Sequence, residues 1–68
     1  MKARIKTGEP LYNNLTIGKW YNIKEISVET TPNVGKSFEI DDDVGMNCFC
    51  LQFYCSWINN GSWEISDE

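Results

Sequence analysis

The sequence predicts an all-β fold, a small barrel of five short strands in a single domain. Three observations carry this. No window of 11 residues places apolar side chains at i, i+3, i+4 and i+7, the spacing of an amphipathic helix. Short runs of β-branched and aromatic residues alternate with Gly, Asn, Asp and Pro, the punctuation of a sandwich or barrel. Three Trp, three Tyr and three Phe in 68 residues bring core material, each burying about 150–250 Å². A chain this short hides only about 60% of its unfolded surface, so that material has to be well placed.

The first strand is Ala3–Lys6, stopped by Thr7-Gly8-Glu9-Pro10, where Gly and Pro break the extended run. Leu11–Gly18 is expected to form an ordered loop pinned by apolar anchors. The second strand is Lys19–Ile26, with Tyr21 and Ile23 on one face and Asn22 and Lys24 on the other. Ile26 and Val28 break that phase, which predicts a bulge or bend after Glu25. Thr30–Lys36 is a polar turn region at the tip of a long hairpin. The third strand, Ser37–Asp41, points Phe38 and Ile40 inward. Asp42-Asp43-Val44-Gly45 makes a tight turn, because Asp accepts from nearby backbone N–H groups and Gly tolerates positive φ. The fourth strand is Met46–Leu51. Gln52–Asn60 is a connector containing a short 3-10 turn, and Ser62–Ile65 is the fifth strand.

Charge is divided along the chain. Residues 1–36 hold all six basic and three acidic residues, 6 − 3 = +3, and residues 37–68 hold seven acidic and none basic, −7. The net charge of −4 lacks the clustered positive surface of a typical nucleic-acid binder. A basic patch on the N-terminal strands is one alternative. Interleaving of the strands, which would even out the asymmetry, is the other. No apolar run of about 20 residues is present, so no helical membrane span is expected. The start MKARIKTGEP lacks the apolar stretch of a secretory signal. An odd number of cysteines without such a signal predicts free thiols in a reducing cytoplasm.

All three cysteines, Cys48, Cys50 and Cys55, fall within NCFCLQFYCSW. Structural zinc wants four N or S ligands, and the chain has three Cys and no His. A catalytic thiol wants a nearby base or cation, and the sequence neighbours are apolar or acidic, which raises a thiol pKa. Residues i and i+2 of a strand share a face, so Cys48 and Cys50 lie together with parallel Cβ vectors, poor geometry for a disulfide. Free Cys packs as a small hydrophobe. No cofactor, no metal and no enzymatic activity are therefore expected. Both faces of the fourth strand are apolar. If Cys48 and Cys50 face inward, Phe49 and Leu51 face outward, and the connector or another chain has to cover them. The opposite phase leaves Met46, Cys48 and Cys50 outside.

Asp41-Asp42-Asp43 lacks the ligand spacing of an EF-hand loop and is expected to be a solvated turn. The core assignment leaves Trp20, Tyr12, Tyr54 and Trp57 over. Tyr and Trp are enriched at interface hot spots.

Five strands in this order, with one long and one tight hairpin before a turn and a last strand, suit an SH3-like barrel. IGKWYNIKEI, FEIDDDVG and the terminal SWEI resemble the small SH3-like proteins encoded in the early regions of tailed phages, over residues 17–65. The resemblance implies a phage origin, and with the acidic, aromatic composition the expected function is a non-enzymatic protein that inhibits or modulates a host protein, in host takeover or anti-defence, inside the host cytoplasm. The expected partner surface joins Trp20, Phe49, Tyr54 and Trp57 as apolar anchors to Asp41, Asp42, Asp43 and Glu64, which would meet a basic host protein such as a nucleic-acid enzyme. The alternatives are nucleic-acid binding through Lys2, Arg4, Lys6, Lys19 and Lys24 with Trp20 stacking, or a homo-oligomer paired through the Phe49/Leu51 edge.

Overall fold

A computed structural model describes all of residues 1–68, and the chain is all-β. Its strands are β1 (Lys2–Thr7), β2 (Tyr21–Asn22), β3 (Glu25–Ile26), β4 (Ser37–Asp41), β5 (Asn47–Leu51) and β6 (Ser62–Ser66), with one 3-10 turn at Ser56–Ile58. They form two three-stranded antiparallel sheets, ordered β2-β1-β6 and β3-β4-β5.

The strand count differs from the expected five, and the reason is local. The expected strand Lys19–Ile26 is divided between the two sheets. The Ile23 amide donates to Met1 O at 2.9 Å, on the first sheet, and the Lys24 amide donates to Glu39 O at 2.8 Å, on the second. The chain turns from one sheet to the other between these two residues, earlier than the expected bend after Glu25. At the opposite corner the Trp63 amide donates to Gln52 O at 2.8 Å, tying β6 to the end of β5. Neither sheet closes on itself, and the two meet through these single bonds instead of a continuous ladder.

The period-2 alternation places the core. Ala3 and Ile5 of β1, Phe38 and Ile40 of β4, Cys48 and Cys50 of β5 and Trp63 of β6 all point into one cluster with Leu15, Tyr21, Cys55 and Ile58. Trp63 stands edge-on to both Phe38 (5.5 Å between centroids) and Tyr21 (6.2 Å), the arrangement that ring quadrupoles favour.

Of the apolar anchors expected in Leu11–Gly18, Leu15 alone is buried, while Leu11 and Ile17 are exposed. The β4–β5 turn is built on Asp42. Its Oδ1 accepts from the amides of Val44 (3.0 Å) and Met46 (2.8 Å), and its Oδ2 accepts from Asn14 Nδ2 (3.0 Å). Asp42 is therefore a buried turn residue, not a solvated one. The last turn depends on Gly61, where an added Cβ would lie 2.0 Å from Thr7 O. Only a residue without a side chain lets the end of β1 and the start of β6 approach that closely.

Candidate partner-binding faces

Register decides which side of β5 is which. Cys48 pairs with Ile40 and Cys50 with Phe38, both inward, so Phe49 pairs with Glu39 on the outer face. Glu39 in turn pairs with Glu25. The outer face of the second sheet thus carries a row of Glu25, Glu39 and Phe49, with Asp41 one pleat along. Directly opposed residues on one face have Cβ atoms about 4.5–5.5 Å apart, so a carboxylate sits beside a ring that is 55% exposed.

The connector covers this row only in part. The Trp57 indole N–H donates to Phe49 O at 3.0 Å, which also blocks part of the β5 edge. Tyr12 stacks edge-on against Trp57 at 6.2 Å. Leu51 is half-buried, but Phe53 and Tyr54 turn away and stay exposed.

The expected site residues do not form one surface. Phe49, Trp57 and Asp41 lie with the second sheet. Trp20 lies against the first sheet, with the Arg4 guanidinium 4.3 Å from its ring centroid, a cation–π contact. Glu64 belongs there too, 2.7 Å from the same guanidinium. Tyr54 borders a separate hollow, together with Phe53 and the Thr30–Gly35 loop tip. Asp42 is inside its turn, and Asp43 is tied up by Lys19 Nζ (2.6 Å), Thr16 Oγ1 (2.6 Å) and Tyr21 Oη (2.9 Å), each donating to its carboxylate. Asp41 itself faces Lys24 Nζ at 3.1 Å. Three ion pairs thus join the basic first half of the chain to the acidic second half. Glu25 and Glu39, which carry no ion pair, were missed in the sequence. Their alternation against Ile26, Phe38 and Ile40 was visible there, but the register that brings them beside Phe49 was not.

The three cysteines are free and buried. Burial is the largest cause pushing the Cys48 thiol up to about 11, with Asp42 adding to it. Cys50 is also pushed up, first because its S–H is donated to Cys55 and then by burial. Cys55 departs from the sequence reading. The Cys50 thiol acting as donor holds it below the usual thiol value, helped by the Trp63 indole N–H and opposed by burial. That indole N–H has no conventional hydrogen-bond partner in the core.

Comparison with known proteins gives no match to a protein-family model, to a curated protein or to a solved structure.

Proposed function

We propose that this chain is a non-enzymatic binding protein, an SH3-like barrel of phage type that occupies a basic host protein through the outer face of its second sheet. The carrying observation is the register of β5, which turns Phe49 out beside Glu39 while Cys48 and Cys50 fill the core. Trp57 and Tyr12 extend the apolar area, and Glu25, Glu39 and Asp41 supply the charge. An exposed aromatic cluster rimmed by carboxylates suits a partner with apolar pockets among Lys and Arg. The barrel assignment is supported by strand order, since one segment, Tyr21–Ile26, contributes to both sheets. Affinity capture of the tagged chain from host lysate tests the reading. Phe49→Ala and Glu39→Lys are expected to lose the captured protein, and retention by both variants would remove this face from consideration.

A second reading has its own observation. Lys2, Arg4 and Lys6 project from the outer side of β1 in alternation, with Arg4 over Trp20. Such a basic, aromatic strip suits the phosphates and bases of a single-stranded nucleic acid. Retention on heparin that weakens with salt and with Lys2→Glu favours this reading over the first.

A further inference from the structure

The largest hollow of the molecule, about 510 Å³, lies on neither of these faces. Three segments wall it: the Thr30–Gly35 loop tip, the Phe53-Tyr54 pair, and the Asn60–Ser62 turn against Thr7. Its volume is that of a small-molecule site. No charged side chain lines it, although 24% of the chain is charged.

The walls are fixed in position by backbone bonds. Thr31 and Gly35 exchange both amide bonds (2.9 and 2.8 Å), the Phe53 amide donates to Val34 O at 3.1 Å, and the Cys55 amide donates to Gly61 O at 3.0 Å. Tyr54 is held at φ 58, a left-handed conformation that a bulky residue adopts only at an energetic cost. Its ring gains little burial in return, being 63% exposed. Strain of this kind gathers at ligand clamps. Asn33 and Asn60, also at positive φ, flank it with side-chain amides that offer both donors and acceptors.

We propose that this hollow binds an uncharged saccharide, with Tyr54 and Phe53 under a sugar's C–H face and Asn33, Asn60, Thr30 and Thr31 around its hydroxyl rim. A charged ligand would lose its hydration here without meeting a counter-charge. A sugar presents an apolar ring face edged by hydroxyl groups, which matches rings edged by alcohols and amides. The site is independent of the partner face on the second sheet.

The test is amide chemical-shift mapping of the full chain with cellotriose, maltotriose and tri-N-acetylchitotriose, each at about 10 mM, above a millimolar affinity. At least one trisaccharide is expected to shift Asn33, Tyr54, Asn60 and Ser62 and to leave Phe49 and Glu39 in place. Tyr54→Gly removes the ring and relieves the left-handed strain, so it folds, and it is expected to weaken that sugar at least about tenfold. No shift with any of the three sugars overturns the proposal. So do shifts elsewhere, undiminished binding by Tyr54→Gly, or a neutral peptide that moves these residues when no sugar does.

Discussion

Lys19 Nζ stands 2.6 Å from Asp43 Oδ1, and this pair locks the loop before β2 onto the β4–β5 turn. Thr16 and Tyr21 bind the same carboxylate, so one side chain collects three donors from the N-terminal half. Tyr21 also accepts from the Thr16 amide at 2.7 Å, which closes a small network beside the β4–β5 turn. Asp43→Ala is expected to destabilise the fold by about 1–2 kcal/mol, the worth of charge-assisted bonds at a partly solvated site. Urea denaturation measures it. A loss under about 0.5 kcal/mol, the ordinary surface value, would show that the network contributes nothing.

The same network sets a pH dependence. Lys19, then Thr16, hold Asp43 down at about 2, with Tyr21 adding to them. Burial works to raise Asp42, but the Met46 amide, Asn14 and the Val44 amide together hold it below its usual value. A carboxyl depressed in the folded state stabilises the fold above its unfolded pKa of about 3.9. That stability is lost as pH falls through the folded value. Unfolding free energy should therefore be flat from neutral pH down to about 5 and fall from there toward pH 2. Urea midpoints across this range check it, and the fall should be shallower in Asp43→Asn.

Asp42 and Asp41 are neighbours in sequence with opposite consequences. Asp42→Ala strips the turn of its acceptor and leaves the amides of Val44 and Met46 and the Asn14 side chain short of a partner. The expected cost is about 2–3 kcal/mol. Asp41→Ala breaks only an exposed pair with Lys24 and should cost less than about 0.5 kcal/mol. Thermal denaturation of the two variants side by side distinguishes them, and equal losses would contradict the assigned roles.

Gly61→Ala forces a Cβ toward Thr7 O and the Gly8 Cα. Both obstacles are backbone, so the β1–β6 ladder has to shift. A loss of at least about 2 kcal/mol is expected, toward the upper end of overpacking costs. Circular dichroism melting curves read it directly.

The three thiols should be masked in the native protein. Each is about 1% exposed or less, so access limits reaction at all three. Ellman's reagent is expected to label them at the rate of opening, and to label all three at once in denaturant. Fast native labelling of Cys55 would mean that the 52–61 connector opens independently of the core.

Much of this fold was legible in the chain. Ser37–Asp41 emerges with the bounds the alternation predicts, and the other main strands differ by a residue or so at their ends. The 3-10 turn falls within the expected connector. The divided second strand was harder to see, because a run that is β-rich throughout carries no mark of where it passes from one sheet to another. The candidate faces were less legible still. Charge and aromatic content pointed to Asp41, Asp42, Asp43 and Glu64 as a group, yet adjacency in sequence sends Asp41 outward, Asp42 inward and Asp43 onto Lys19. A strand period of 2 says that consecutive residues part company, but not what each will meet.

The sequence by itself determined an all-β chain, the positions of its turns and the inward-facing Phe38 and Ile40, because these follow from local propensity and from alternation within each strand. Only the tertiary structure decided that Cys48 and Cys50 take the core while Phe49 looks out, that Glu25 and Glu39 line up beside it, and that basic residues of the first half neutralise acids of the second. Those outcomes depend on register between strands far apart in the chain. A strand apolar on both faces has no pattern of its own to choose its register, so the partners in β4 and the Trp57 turn chose it.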